Sequence, residues 1–307
     1  MHFIVVGGEH VIRVRVPATA ANIGPGFDCL GMALNIYNDI EVEEWNEGLS
    51  ISILGEKCGD VPVDETNLVY TSMKKVFDRV GFFPKGIRLK QKNGIPVTRG
   101  LGSSAACIVS GMIAANALAG FPIDKKELLR MAVEEDGHPD NVVPAMMGGI
   151  TAACVDGGEV LYVKIQPPES IKFAVMIPDI KIKTVKAREI IPRMIPLEDA
   201  VFNIGRTAML VASLMAGKTG NLFAATQDRL HQPYRKVLIP HWDEVYSHSL
   251  ELGARGVFLS GSGPTIIAVL DRDYSDFIRH MKEFVSSFEQ RWEVRLAEFC
   301  HHGVEMC

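Results

Sequence analysis

The stretch PVTRGLGSSAACIVSGMIAANALAG, from Pro96 to Gly120, joins a glycine-rich loop to a run of alanine and other small apolar residues. That run opens at Ser103 and Ser104 and closes on Gly120, so it predicts a buried helix with serine caps. Glycines let backbone approach a ligand closely, and the free N–H groups at a helix start favour an anion. The stretch therefore predicts a phosphate site, with a simple helix-capping turn as the alternative.

Two common phosphate-loop patterns are excluded. No Gly-Lys-Ser/Thr follows the glycines, as a Walker A loop requires, and Ala105 stands where the dinucleotide fingerprint has its last glycine. The loop alone indicates only a phosphate site, and other segments must decide the function.

The composition bounds the class of protein. The chain has 307 residues, enough for two domains, with 47% hydrophobic and 22% charged residues. A net charge of −5 offers no basic face, so we expect no nucleic-acid partner. No apolar run is long enough for a membrane span. The first residues show no basic region, long apolar region or cleavage site of a signal peptide, so we expect a cytoplasmic location and reduced, free cysteines.

Strands and helices interleave along the chain, which predicts an α+β or α/β architecture in two lobes. The predicted strands cover residues 11–16, 39–45, 87–93, 171–179 and 256–270, the last with a turn inside it. The predicted helices cover residues 65–81, 103–120, 125–136, 197–217 and 273–289. The segment KIQPPES, residues 164–170, interrupts the pattern, so we predict domains at 1–165 and 166–307.

Three further segments concentrate chemistry-bearing residues next to glycine-rich turns. They are PATAANIGPGFDCLG (17–31), EEDGHPDNVVPAMMGG (134–149) and LSGSGPT (259–265). Two shorter strings, TVKARE (184–189) and QPYRKVLIPH (232–241), add basic residues.

In this wording and order, the segments resemble the motifs of the galactokinase–homoserine–mevalonate–phosphomevalonate (GHMP) kinase superfamily and, within it, the homoserine kinases. The resemblance covers about residues 11–270. It implies a two-domain α+β fold: an N-terminal domain like the second domain of ribosomal protein S5 and a ferredoxin-like C-terminal domain, with ATP between them. It also implies transfer of the ATP γ-phosphate to L-homoserine, giving O-phospho-L-homoserine for threonine biosynthesis.

The resemblance assigns the nucleotide and metal residues. The loop around the triphosphate would comprise Pro96, Val97, Thr98, Arg99, Gly100, Leu101, Gly102, Ser103, Ser104, Ala105 and Ala106. Ser104 and Glu134 would hold Mg²⁺. Glu135 and Asp136 are adjacent acids, so the choice of Glu134 stays open, and a solvated acidic helix end is the alternative.

The resemblance also assigns the substrate residues. Asn22 and Asp28 would hold the ammonium group of homoserine. Arg188 and Arg235 would hold its carboxylate, which suits the bidentate guanidinium group. Three further residues would line the pocket around the reacting hydroxyl: His138, Asn141 and Thr184.

We predict catalysis mainly by positioning and by electrostatic stabilisation of the transferring phosphoryl group, with Ser104, Glu134 and Asn141 contributing. Asp140 is the candidate general base if the reaction uses one. Two other functions stay open: a related kinase for a mevalonate-like or sugar alcohol, and a non-catalytic ligand sensor. A homodimer also stays open.

Overall fold

The computed structural model describes residues 11–55 and 61–307. The first ten residues, to which the sequence assigns no role, and Cys58 lie outside the described residues. The strands are Ile12–Ala21 (β1), Leu30–Glu44 (β2), Gly48–Leu54 (β3), Gly86–Asn93 (β4), Ile150–Asp156 (β5), Glu159–Ile165 (β6), Lys172–Pro178 (β7), Gly256–Leu259 (β8), Ile266–Leu270 (β9), Trp292–Ala297 (β10) and Glu305–Met306 (β11). The helices are Leu68–Val80 (α1), Ser103–Leu118 (α2), Lys125–Asp136 (α3), Pro139–Met147 (α4), Thr184–Glu189 (α5), Leu197–Met215 (α6), Leu222–Ala225 (α7), Gln232–Arg235 (α8), Trp242–Glu251 (α9) and Tyr274–Val285 (α10).

The first sheet has the strand order β11-β1-β2-β4-β3, and β5 and β6 extend it from β2. All its pairs are antiparallel except β3 with β4. The helices α2 and α4 pack on β1 and β2, while α1 and α3 pack against α2. This layer brings the ends of β1, α2 and α4 to one edge, where the glycine-rich segments lie.

The helix α2 confirms the predicted buried helix but not its caps. Gly102, not a serine, is the N-cap residue, and it adopts a left-handed φ of 65°. Ser103 and Ser104 are the first helical residues, and no side chain caps the amino terminus of the helix. The left-handed glycine already redirects the chain into the helix, so the serine hydroxyls are not used as caps and both residues line the cleft.

The second sheet is antiparallel with the order β10-β7-β9-β8. Numbered within this half of the chain, the order is 4-1-3-2, which is the ferredoxin-like arrangement. The helices α9 and α10 pack on this sheet. The two-domain α+β fold is therefore confirmed.

The strand β7 joins the two halves. Its alternate residues Phe173, Val175 and Ile177 enter the core shared with the first sheet. Ala174 and Met176 enter a second core beneath α9 and α10, as the two-residue period of a strand requires.

The predicted boundary lies between β6, which ends at Ile165, and β7, which begins at Lys172. The C-terminal strand β11 nevertheless returns to pair with β1. The limits 1–165 and 166–307 stay a prediction.

Two further features of the described residues bear on the class of protein. Cys29, Cys107, Cys154, Cys300 and Cys307 are free thiols. In the part of the chain that the structure describes, no helix is both long and apolar enough to cross a membrane.

Candidate active site

A cleft of about 580 Å³ lies where the two halves of the chain meet. The turn after β1, the glycine-rich loop, the start of α4, the helix α5 and the turn between β8 and β9 all contribute to it. Segments far apart in the sequence therefore converge on one cavity.

The glycine-rich loop has a backbone that only glycine fits. Gly100 and Gly102 have φ values of 75° and 65°. A Cβ atom on Gly102 would lie 1.8 Å from Thr19 Oγ1, and one on Gly100 would lie 2.4 Å from the Ser260 carbonyl oxygen. Any side chain at either position would have to displace a neighbour.

Both sheets hold the loop in place. The Ser260 hydroxyl donates to the Gly100 carbonyl at 2.5 Å, and the Thr265 hydroxyl donates to the Arg99 carbonyl at 2.6 Å. From the first sheet, the Thr19 N–H donates to the Leu101 carbonyl at 3.1 Å. The carbonyl groups are thus occupied by the protein, which leaves the N–H groups at the start of α2 for an anion.

Most of the predicted loop residues line this cleft, namely Val97, Thr98, Arg99, Gly100, Leu101, Gly102, Ser103, Ser104 and Ala105. Pro96 lines a neighbouring, smaller cavity. Ala106 is fully buried in the core. The structure does not bring these two residues into the cleft, because Pro96 faces the neighbouring cavity and Ala106 faces the core.

The three acids at the end of α3 point in different directions. The side chain of Glu134 is 73% exposed and pairs with Arg130 at 3.2 Å. Glu135 accepts a hydrogen bond from the Ser72 hydroxyl at 2.9 Å. Asp136 lines the cleft, and burial together with Glu135 raises its pKa to about 6. The structure does not bring Glu134 to Ser104, since helical rotation turns it away, whereas Asp136 faces the cavity.

The donor set fits a cation that is shared with phosphate. Among the described residues, no cluster of three or more His, Cys, Asp or Glu side chains could hold a metal by itself. Ser104 and Asp136 supply one hydroxyl and one carboxylate to the same cleft. Mg²⁺ is usually bound in this way, by one or two carboxylates and by the phosphate oxygens of the nucleotide.

At the other end of the cleft, Asp28 and Arg188 form an ion pair. Arg188 Nη2 donates to Asp28 Oδ1 at 2.7 Å. Arg188 Nε is buried and has no hydrogen-bond partner among the described residues. Asp28 has a φ of 57°, a left-handed conformation that aspartate tolerates better than most residues.

Arg235 is almost fully buried beside this pair. Its Nε donates to the Ala187 carbonyl at 3.0 Å, and its Nη1 donates to the Gly261 carbonyl at 2.9 Å. Burial, and secondly the charge of Arg188, lower the pKa of Arg235 to about 10. Two guanidinium groups this close repel each other, so an anionic group between them would be strongly favoured.

Both arginines lie close to the ring of Phe27. The guanidinium carbons of Arg188 and Arg235 lie 5.3 Å and 5.4 Å from its ring centroid. His231 stacks on the same ring at 5.2 Å. Its Nε2 lies 2.7 Å from the Gly24 carbonyl oxygen, and its Nδ1 lies 3.3 Å from Arg235 Nη1. The aromatic pair therefore connects the turn that carries Asp28 to Arg235.

Asn22 supports the turn rather than facing solvent. Its Oδ1 accepts from the Asp28 N–H at 3.0 Å, and its Nδ2 donates to the Gly261 carbonyl at 3.2 Å. It lines the cleft but is 3% exposed, with a left-handed φ of 71°. Asn22 therefore holds the backbone N–H of Asp28 and so orients the Asp28 side chain.

His138, Asn141 and Thr184 also line the cleft. Asn141 Oδ1 accepts from the Thr19 hydroxyl at 2.7 Å. Thr184 Oγ1 lies 3.3 Å from Ser262 Oγ. Burial, and secondly the charge of Arg188, lower the pKa of His138, which favours the neutral imidazole. The pocket side chains predicted around a reacting hydroxyl are therefore brought together.

Asp140 is the most strongly perturbed acid at this end. It lies in the first turn of α4 and is 4% exposed. Burial, followed by the charges of Asp28 and Asp136, raises its pKa to about 7. A carboxyl with this pKa exchanges protons near neutral pH, as a general base must.

The residues at one end of the cleft were not predicted from the sequence. There the lining residues are Val61, Pro62, Thr66, Asn67, Leu68 and Gln91. Asn67 caps α1, because its Oδ1 accepts from the N–H of Val69. An asparagine before an apolar helix reads as a cap, and nothing in the sequence relates this cap to the glycine-rich loop.

The sequence matches two family descriptions, "GHMP kinases N terminal domain" over residues 67–149 and "GHMP kinases C terminal" over residues 211–285. The homoserine kinase of Petrotoga mobilis is 50% identical over 296 residues, which are 96% of this chain and 96% of that one. The chain belongs to the homoserine kinase family. The homoserine kinase of Clostridium botulinum strain Langeland is 49% identical over 93% of this chain and 95% of its own length.

Solved structures agree with this family. The crystal structure of homoserine kinase from Cytophaga hutchinsonii superposes with a TM-score of 0.89 at 30% identity and covers 100% of both chains. In this member of the homoserine kinase family, residues from each of the motifs that resemble those of the family line the cleft between the two sheets.

Proposed function

We propose that this chain transfers the γ-phosphate of ATP to the hydroxyl group of L-homoserine, giving O-phospho-L-homoserine. The observation that carries the proposal is the convergence of Asp28, Arg188 and Arg235 at one end of a cleft whose other part is the glycine-rich loop. An amino acid needs both signs of charge in one pocket, and this pocket supplies them. We expect the reaction to serve threonine biosynthesis in the cytoplasm.

Each end of the amino acid has a partner in the pocket. Asp28 would accept the ammonium group, held in direction by Asn22. Arg188 and Arg235 would bind the carboxylate, and their mutual repulsion makes an anion between them favourable. A neutral sugar alcohol would supply no anionic group to the two guanidinium groups, so the pocket favours an amino acid over a sugar.

The nucleotide would lie along the glycine-rich loop. The N–H groups at the start of α2, with Ser103 and Ser104, would bind the phosphates. Mg²⁺, when bound, would neutralise charge on the transferring phosphoryl group. Asp136 and Ser104 are its proposed ligands, and Asp136 replaces Glu134 in this role. The end of the cleft around Asn67 and Gln91 would take the base.

The proton of the substrate hydroxyl requires an acceptor. Asp140 is buried and its pKa is raised to about 7, so it is the proposed general base. His138 and Asn141 would position the hydroxyl beside it. Positioning of the two substrates and stabilisation of the phosphoryl charge remain the larger contributions.

A coupled ADP-release assay with MgATP tests the proposal. The assay compares L-homoserine, mevalonate and galactose, and mass measurement of the product checks for O-phospho-L-homoserine. We expect turnover with L-homoserine and less than about 1% of it with the other two alcohols. Turnover only with another alcohol would rule out L-homoserine as the substrate. Binding of both ligands by calorimetry without ADP release would indicate a sensor instead.

A further inference from the structure

His231 is the N-cap residue of α8, and its side chain is fully buried behind the substrate end of the cleft. Its backbone N–H donates to Asp228 Oδ2 at 2.9 Å. Its ring stacks on Phe27 with the ring centroids 5.2 Å apart. The protein itself therefore holds both the backbone and the ring plane of this histidine.

The two ring nitrogens of His231 have partners of opposite kind. Nδ1 lies 3.3 Å from Arg235 Nη1, and a guanidinium nitrogen can only donate, so Nδ1 accepts and carries no proton. Nε2 lies 2.7 Å from the Gly24 carbonyl oxygen, which can only accept, so Nε2 carries the proton. Burial also lowers the pKa of His231, against the nearby charge of Asp228. The ring is therefore the neutral tautomer with its proton on Nε2.

The contact with His231 decides which donors of Arg235 remain for a ligand. A guanidinium group has five N–H donors. Three of them bind within the protein: Nε donates to the Ala187 carbonyl, and Nη1 donates to the Gly261 carbonyl and to His231 Nδ1. The two N–H groups of Nη2 have no acceptor among the described residues, and Arg235 lines the cleft. These two groups are the ones left for an anion.

The same ring connects Arg235 to the turn that carries Asp28. The acceptor of its Nε2–H, the Gly24 carbonyl, lies in that turn, although Gly24 and His231 are 207 residues apart in the chain. Within the turn, Asn22 Oδ1 accepts from the Asp28 N–H at 3.0 Å. Hydrogen bonds thus run from the turn through the imidazole ring to the guanidinium group, and they set the position of Arg235 relative to Asp28.

We infer that His231 is a positioning residue, which holds Arg235 at the separation from Asp28 that the carboxylate and ammonium groups of an α-amino acid require. The inference rests on the proposed function, because that function assigns the two charged groups of the substrate to Arg235 and Asp28. An α-amino acid carries both groups on one carbon atom, so the two subsites must be close together and their separation must stay fixed.

The physical reason is the cost of unpaired buried groups. Without an acceptor at position 231, one N–H of Arg235 Nη1 would be buried with no partner. The guanidinium group would turn towards another acceptor, and Nη2 would leave its place in the cleft. This movement weakens the binding of the substrate carboxylate and leaves the nucleotide site at the glycine-rich loop unchanged.

The isosteric pair His231→Asn and His231→Leu tests the inference in the full chain. Both substitutions leave the same space, but asparagine can place Oδ1 where Nδ1 was, whereas leucine offers no acceptor. We expect the KM for L-homoserine to rise roughly tenfold or more in His231→Leu and less than about threefold in His231→Asn. The KM for ATP should stay within about twofold in both variants. Circular dichroism checks that both are folded. Equal KM values for L-homoserine in the two variants, or a parallel rise in the KM for ATP, would overturn the positioning role.

A measurement on the unaltered chain keeps the inference testable if neither variant folds. In a chain labelled with ¹⁵N-histidine, long-range ¹H–¹⁵N spectra show which ring nitrogen carries a proton. We expect His231 to have a protonated Nε2 and an unprotonated Nδ1 at pH 7, with and without saturating L-homoserine. A proton on Nδ1 would remove the acceptor for Arg235 and would contradict the inference.

Failure of the proposed function gives a different result. If the unaltered chain releases no ADP from MgATP and L-homoserine, that function is wrong, and the calorimetric Kd for L-homoserine replaces KM in the comparison of the two variants. A weaker Kd in His231→Leu than in His231→Asn would still support the inference. No binding of L-homoserine by the unaltered chain would overturn the function and the inference together.

Discussion

Asp28 Oδ1 and Arg188 Nη2 lie 2.7 Å apart, although 160 residues separate them in the chain. The pair connects the turn between β1 and β2 to the helix α5, which follows β7. The side chains are 33% and 41% exposed, so both charged groups face the cleft. The residues assigned to the two ends of an amino acid are thus neighbours in one pocket.

Replacing Arg188 by lysine should weaken homoserine binding selectively. Lysine keeps the charge but cannot form the bidentate contact with a carboxylate. Since a hydrogen bond to a charged group contributes about 1.5–3 kcal/mol, the KM for homoserine should rise roughly 10- to 100-fold. The KM for ATP should change less than twofold.

Steady-state kinetics with each substrate varied in turn measure this effect. Arg193→Lys, at an exposed arginine in the segment between α5 and α6, is the matched control and should leave both KM values unchanged. Equal increases in both KM values for Arg188→Lys would argue for a general loss of structure.

Gly102→Ala should abolish nucleotide binding by the loop. The new Cβ would lie 1.8 Å from Thr19 Oγ1, at a φ of 65°. Gly120→Ala is a control with matched backbone strain, because Gly120 has a φ of 84° but no atom within 4 Å of the added Cβ. We expect kcat/KM for ATP to fall at least 100-fold in Gly102→Ala and less than threefold in Gly120→Ala. Similar losses of kcat/KM in both variants would mean that backbone strain, and not the collision of the added Cβ with Thr19, lowers the activity.

Substitutions at Glu134 and Asp136 distinguish the two candidate metal ligands. Glu134 is 73% exposed on α3, so Glu134→Gln should retain activity within about threefold. Asp136 lines the cleft, so Asp136→Asn should raise the Mg²⁺ concentration for half-maximal activity at least tenfold. The measurement is a magnesium titration at fixed ATP. The reverse pattern would support Glu134 as the metal ligand, as the resemblance implied.

Asp140→Asn should lower activity while raising stability above neutral pH. Loss of a general base typically costs about 10²–10⁴-fold in kcat. In the wild type, kcat should fall as the pH decreases below about 7, where Asp140 becomes protonated. A loss in kcat of less than tenfold for Asp140→Asn would exclude an essential base.

The stability effect has a definite sign. The pKa of Asp140 is raised from 3.8 to about 7 in the folded chain, so between these values the folded state binds a proton that the unfolded state has lost. The free energy of unfolding therefore decreases as the pH rises through this range. Asparagine mimics the protonated carboxyl group, so Asp140→Asn should be more stable at pH 8, by on the order of 3 kcal/mol. The gain should disappear near pH 4. Urea unfolding at the two pH values measures it, and an equal effect at both would contradict the assignment.

Local patterns predicted five of the ten helices of the described residues, α1, α2, α3, α6 and α10, and did not predict α4, α5, α7, α8 and α9. The sequence indicated α1 from its apolar spacing and the stop at Gly81, which is the left-handed C-cap in the structure. It also indicated the buried α2, but it assigned the N-cap to serine. The residues that a side chain at position 102 would meet, Thr19 and Asn141, lie in other segments, so the sequence could not assign that cap.

The acids of α3 illustrate the same limit. Glu134, Glu135 and Asp136 are consecutive, and composition cannot distinguish them. Successive helical residues point about 100° apart, so the packing of α3 alone decides which carboxylate enters the cleft. Asn67 and Gln91 were missed for a related reason, since each reads locally as an ordinary cap or strand residue.

By itself, the sequence indicated the family, the two-domain α+β fold and most residues of the cleft, because the motifs that carry the resemblance are local strings of glycine and charged residues. Only the tertiary structure decided how those residues are used. It paired Asp28 with Arg188, buried Arg235 and Asp140, and turned Glu134 to solvent. These outcomes depend on burial and on contacts between distant segments, such as Asn22 and Gly261, which are 239 residues apart, and such contacts are set by packing.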